Sequence, residues 1–179
     1  VEYAGKKIGD GTSETNSMTF YAVGSGTVLE NLVSYKGADD GFEFYGGTVS
    51  AKNLISYGNT DDSFDWQDGW QGQANTNWYA YQTGAGNFGM EIESKSVNNA
   101  FYPKVSNITL RRAAGTATEA GNPLEIDAIQ FKKEGNGEYS NVVISGYTNS
   151  VTSGTTTTNA VAVRIQDAAT NTNQVLTGK

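Results

Sequence analysis

The chain has 179 residues, 37% hydrophobic and 11% aromatic, with a net charge of −7 and a pI near 4.5. That is enough for one domain with a real core, and too acidic for a nucleic-acid partner or an anionic membrane surface, both of which need basic patches. With no Cys and no His, disulfide frameworks, zinc sites and His-based nucleophile triads are excluded, and no apolar run reaches the length of a membrane span.

Twenty-two glycines against two prolines, with abundant Asn, Ser and Thr, point to many short strands joined by tight turns. The first segment, VEYAGK, repeats the VSYKG of residues 33–37, so Val1 falls inside an incomplete turn and an upstream portion is expected. SMTF (17–20) then sets an apolar, polar, apolar pattern, the period of two of a half-buried strand. The same pattern returns as GFEF (41–44), SFDW (63–66), GMEI (89–92), AIQF (128–131) and AVRI (162–165). Its polar members form a column: Thr19, Glu43, Asp65, Glu91, Gln130 and Arg164.

A second series interleaves with the first. ENLVSY (30–35), KNLISY (52–57), TNWYAY (76–81), SNITLR (106–111) and SNVVIS (140–145) align Asn31, Asn53, Asn77, Asn107 and Asn141. From this column to the polar column the distance is 12, 12, 14, 23 and 23 residues, so the strands keep register while one connection grows. A period of 22 to 34 residues with two or more strands per period and no helical segment predicts an all-β, right-handed parallel β-helix of about six turns. It is read as a single domain over residues 1–179, a piece of a longer chain. A propeller or sandwich would use antiparallel hairpins, and the Asn-Gly turns these favour do not recur between the strands, the pair occurring there once, at 136–137. Phe42, Phe64, Met90, Ile129 and Val163 are expected on one inward ladder, and Phe44, Trp66, Ile92, Phe131 and Ile165 on the next. The Asn column is expected to point inward at a bend, each amide pairing with the next.

ADDGFEF (38–44) recurs twenty-two positions on as TDDSFDW (60–66). From residue 37 to 93 nine acidic residues face Lys52 alone. If Glu43, Asp65 and Glu91 project outward from successive turns, their carboxylates stand roughly 5 Å apart and repel by about 1 kcal/mol in water and about 3 at intermediate dielectric. A solvated acidic face relieves this, with the Asp pairs in local Asx-turns. So does a calcium ion held by Asp39, Asp40, Glu43, Asp61, Asp62, Asp65 and Glu91, since all-oxygen ligands suit calcium better than a transition metal. So does a raised carboxyl pKa, as a catalytic acid needs.

Aromatic residues crowd the same region. Trp66 belongs to an inward ladder, whereas Trp70, in the connection WQDGWQGQANTN, has no strand position and is a candidate sugar platform, with Trp78 and Tyr45 as further substrate-binding candidates. The connections 111–124 and 146–159 lie on the corner of the Asp pairs and are expected to wall a groove there.

The stretch GSGTVLENLVSYKGADDGFEFYGGTVSAKNLISYGNTDDSFDWQDGWQG, followed by YPKVSNITLRR, YSNVVISGY and AVRIQDAAT, covers nearly the whole chain. It resembles a large group of secreted or surface-anchored bacterial proteins of Bacteroidetes and other Gram-negative bacteria, hypothetical lipoproteins with a pectate-lyase-like β-helix. The resemblance implies export and display at the cell surface. The expected role is binding, with carbohydrate or another surface polymer as partner and calcium as a possible cofactor. A polysaccharide lyase or glycoside hydrolase is the alternative, with Asp61, Asp62, Asp65 and Glu43 as catalytic candidates. NTDD (59–62) resembles part of the polygalacturonase pattern, but that pattern's His is missing. A purely architectural spacer or adhesin stalk is the third reading.

Overall fold

The structure is a computed structural model and describes residues 1–8, 14–94, 102–119 and 121–166. Its strands begin with β1 (Lys6–Lys7), β2 (Glu14–Thr15), β3 (Thr19–Tyr21), β4 (Leu29–Tyr35) and β5 (Phe42–Tyr45). They continue with β6 (Ala51–Tyr57), β7 (Phe64–Gln67), β8 (Asn75–Gln82), β9 (Met90–Ile92) and β10 (Lys104–Arg112). The last are β11 (Ile129–Phe131), β12 (Glu138–Ser145), β13 (Ser150–Ser153), β14 (Thr156–Asn159) and β15 (Val163–Ile165).

Strands β3, β5, β7, β9, β11 and β15 stand side by side in one sheet, and β4, β6, β8, β10 and β12 in another. Every neighbouring pair within these two sheets is parallel and one coil apart in sequence. A chain that visits two sheets alternately, always adding to the same edge, is a parallel β-helix. A sandwich or propeller would need antiparallel neighbours. Thr19, Glu43, Asp65, Glu91, Gln130 and Arg164 pair directly from strand to strand, and the two inward ladders keep the same register.

The ladders supply the core. Phe42, Phe44, Phe64, Trp66, Met90 and Ile92 are fully or almost fully buried, as are Leu54, Trp78, Ile108 and Leu110 from the opposite sheet. Each such side chain contributes about 1.5–3 kcal/mol of burial. Phe44 stacks on Trp70 with centroids 4.5 Å apart, and Phe64 meets Trp78 at 4.8 Å.

The asparagine column sits at a bend, but it points outward. Asn31, Asn53, Asn77, Asn107 and Asn141 are exposed, with φ between 55° and 61°. Left-handed backbone lets two consecutive residues face solvent before alternation resumes, and Asn tolerates that conformation better than other residues with a Cβ. The amides do pair, each donating to the carbonyl of the coil before at 2.8 to 3.0 Å. The inward role belongs to Asn59. It accepts from the Gly37 backbone at 2.7 Å and Ser34 Oγ at 2.9 Å, and donates to Ser56 Oγ at 2.7 Å. The first coil is offset by one residue from the letter match of VEY with VSY. Glu2 bridges Tyr35, and Tyr3 shares the positive φ of Lys36 rather than lying over Tyr35.

Two antiparallel hairpins leave the coil, β1 with β2 and β13 with β14. The second accounts for most of the connection 146–159. It packs on the neighbouring connection through Asn149 Nδ2 donating to the Thr116 carbonyl at 3.3 Å, so it does not wall the acidic corner as expected. The first hairpin does reach that corner.

Candidate functional site

The two members of each Asp pair do different work. Asp40 Oδ1 accepts from the backbone N–H of Asp62 at 2.9 Å, and Asp62 Oδ1 from that of Phe88 at 2.7 Å. Asp127 repeats the pattern on Val161 at 2.8 Å. These side chains tie one coil to the next instead of closing an Asx-turn within their own. The first members, Asp39 and Asp61, turn toward the mouth of a cavity on the outer face of the six-stranded sheet.

That cavity, of about 280 Å³, is lined by Asp39, Asp40, Glu43, Tyr45, Asp61, Asp62, Asp65 and Glu91, together with Glu14, Asn16, Asn122, Glu125 and Lys132. Every proposed metal ligand is therefore brought together. They are not a solvated face: Glu43 is 3% exposed, Asp40 8%, Asp65 7% and Glu91 9%. The connection after β10 and the β1–β2 hairpin close over them.

Burial decides their protonation. It holds Asp40, Asp62 and Asp65 well above the usual carboxylate range, and neighbouring charges add to it, Asp65 acting on Asp40 and Glu91 on both Asp62 and Asp65. Burial, then the Glu14 carboxyl beside it, pushes Asp39 up to about 8, and burial with Glu91 pushes Glu125 up to about 7. Burial also raises Glu43, opposed by its hydrogen bonds with Tyr45, Gln67, Asp65 and Asn16. Asp61 is raised by burial against the pull of Lys7.

Two lysines from distant parts of the chain answer part of this charge. Lys7 on β1 reaches Glu14 at 2.9 Å, Asp39 at 3.5 Å, Asp61 at 3.6 Å and also Glu119. Lys132, one residue past β11, meets Glu91 at 2.6 Å and Glu93 at 2.9 Å. Burial lowers the pKa of Lys132, but Glu91 and Glu93 outweigh it and hold the ammonium above its ordinary range. Lys52, the only base in the local stretch, pairs with Glu30 at 3.5 Å on the other sheet.

Among the described residues these ion pairs leave Asp40, Glu43 and Asp65 without a cationic partner. One oxygen from each lies within 4.8 Å of the other two. Glu43 accepts from Gln67 Nε2 at 3.0 Å and from Asn16, whereas Asp65 Oδ1 has no hydrogen-bond partner. A buried carboxyl oxygen without a partner is costly.

Trp70 and Trp78 are not platforms. Each is 1% exposed, and each indole N–H donates inward at 3.0 Å, to the Val49 and Ala51 carbonyls respectively. A connection with no strand register folds its largest apolar group under the coil, because the open core beside Phe44 has room for it. Tyr45 does line the cavity, half-buried, and stacks on Tyr21 with centroids 4.4 Å apart and 13° between planes. Tyr21 is 69% exposed and was missed in the sequence, although both tyrosines follow the ladder phenylalanines Phe20 and Phe44. The same column contains Lys132 after Phe131 and Glu93 after Ile92, a signal that places Lys132 at the site. Lys7 and Glu119 carry no such signal, since their segments lie outside the repeat.

Stacked parallel coils bearing an acidic cavity on one sheet define a β-helix protein. The family model for the pectate-lyase like beta helix domain matches residues 1–178, and the chain belongs to that family. No curated protein and no solved structure matches it. No helix among the described residues is long and apolar enough to cross a membrane.

Proposed function

We propose that this chain is a secreted or cell-surface β-helix that binds carbohydrate in the acidic cavity, with calcium supplying the missing positive charge. The observation carrying this reading is the Asp40, Glu43 and Asp65 trio, buried and close together with the Asp65 Oδ1 unpartnered. All-oxygen donors of this kind suit calcium, and the remaining carboxyl and amide groups of the lining suit sugar hydroxyls. Membership of a pectate-lyase-like family supports a carbohydrate ligand. Because Tyr45 and Tyr21 stack face to face, the free face of Tyr21 is the surface on which a sugar ring can lie. The test is a thermal melt after exhaustive chelation, with and without calcium, followed by a glycan panel against the parent and Tyr21→Ala. A calcium-dependent rise in melting temperature and glycan binding weakened by Tyr21→Ala are expected. No shift and no binding would discard the reading.

Glycoside hydrolysis is the second reading, favoured by carboxyls that keep a proton near neutrality, Asp39 at about 8 and Glu125 at about 7, beside partners able to ionise. Lysine-based elimination is less favoured, because Lys7 and Lys132 are both held protonated. Reducing-sugar release that Asp65→Ala leaves unchanged would remove the hydrolase reading.

A further inference from the structure

We propose that the glycan itself carries the cation: the cavity is built for a sugar polymer with free primary amino groups, one of whose ammonium groups sits among Asp40, Glu43 and Asp65. This rests on the carbohydrate reading above and names its substrate class.

The acid-rich lining points away from uronic acids and toward amines. Of the thirteen residues lining the cavity, nine are Asp or Glu and one is Lys. An anionic sugar would bring like charge beside these acids, and a neutral one would bring no cation to them. The protein already shows how the cavity holds an ammonium. Lys7 Nζ is seated between Glu14, Asp39 and Asp61, and Lys132 Nζ between Glu91 and Glu93. The trio is a further cluster of carboxyls in the same cavity lining.

Its dimensions agree. Three carboxyl oxygens, one each from Asp40, Glu43 and Asp65, lie within 4.8 Å of one another and offer one acceptor to each N–H of an ammonium. Asp65 is 7% exposed, lines the cavity, and keeps Oδ1 without a partner. A volume of about 280 Å³ is far more than a bare ion needs and admits a sugar ring. Asn16 and Asn122 in the lining can take hydroxyls of that ring. Calcium and a ligand ammonium would then compete for one cradle, so an amino-sugar polymer needs no metal, whereas a neutral polymer needs calcium to complete the site.

The experiment is titration calorimetry on the whole chain in chelator. The probes are a β-1,4-linked glucosamine oligomer, its N-acetylated counterpart of equal length, and an oligolysine. The glucosamine oligomer should bind at least tenfold more tightly than either of the others, and millimolar calcium should weaken it. Asp65→Asn, with melting used to verify the fold, should reduce its affinity at least tenfold. Glu43→Gln serves if that variant does not fold. Lys52→Ala, on the opposite sheet, should match the parent. Equal or better binding of the N-acetylated oligomer, equal binding of oligolysine, or an unchanged affinity in the trio variant overturns the inference. If only the N-acetylated oligomer binds, and only with calcium, the amine fails while the carbohydrate reading stands. If no oligomer binds in chelator or calcium, both fall.

Discussion

Replacing Lys132 by Met keeps the aliphatic stem and removes the ammonium that lies 2.6 Å from Glu91 and 2.9 Å from Glu93. Glu91 is 9% exposed, so the loss strands its carboxylate in a poorly solvated place, whereas Glu93 keeps Lys133 Nζ at 2.9 Å. Removing one partner of a buried pair costs about 3–5 kcal/mol. A carboxyl can escape part of that by keeping its proton. For Glu91, with an ordinary value of 4.5, remaining neutral at pH 7 costs about 1.36 kcal/mol for each of 2.5 pH units, or about 3.4 kcal/mol. At pH 5 the same escape costs about 0.7 kcal/mol. The sign follows from a folded-state pKa that is raised above the unfolded value. The variant keeps its stability below about 4.5 and loses it progressively as pH rises. Urea unfolding followed by fluorescence of the buried Trp66, Trp70 and Trp78 reads the difference. Lys132→Met should lie about 3 kcal/mol below the parent at pH 7 and within about 1 kcal/mol at pH 5. A variant within about 0.5 kcal/mol of the parent at pH 7, or a gap that does not change with pH, would refute the pairing of Lys132 with Glu91 and Glu93.

The metal-free protein itself should be less stable at pH 9 than at pH 5. The raised carboxyls Glu125 (about 7) and Asp39 (about 8) contribute fully below their unfolded values, and that contribution is lost as pH rises through their folded ones; melting temperatures that rise over this range would contradict it. Trp70→Ala should cost about 3–5 kcal/mol, since it empties the space against Phe44 and removes the N–H donated to Val49. A loss of glycan affinity at unchanged stability would instead restore Trp70 as a platform. Asn53→Ala should cost about 1–2 kcal/mol by placing Ala at φ 56° and breaking two ladder bonds, while Asn53→Gly, free of backbone strain, should cost less. Equal losses in the two variants, read by urea midpoints, would show that the backbone conformation is not what selects Asn.

The coil was legible because a stacked architecture gives equivalent residues equivalent surroundings. GFEF, SFDW and GMEI repeat since each strand meets the same neighbours above and below, and period-two alternation sends Phe42 and Phe44 inward whatever the connections do. The same logic put Glu43, Asp65 and Glu91 in one row on the outer face. It could not say whether that face was wet. The repeat describes only the wall, and the roof over it comes from segments outside the repeat, the hairpin bearing Lys7 and the connection bearing Glu119.

What the sequence determined by itself is the register of the coils and the row of acids, both set by local alternation and spacing. What only the tertiary structure decided is the burial of those acids, the arrival of Lys7 from outside the repeat, and the retreat of Trp70 into the core. Dielectric and charge pairing depend on everything within a few ångströms in space, and no repeat along a chain carries that information for the segments that depart from it.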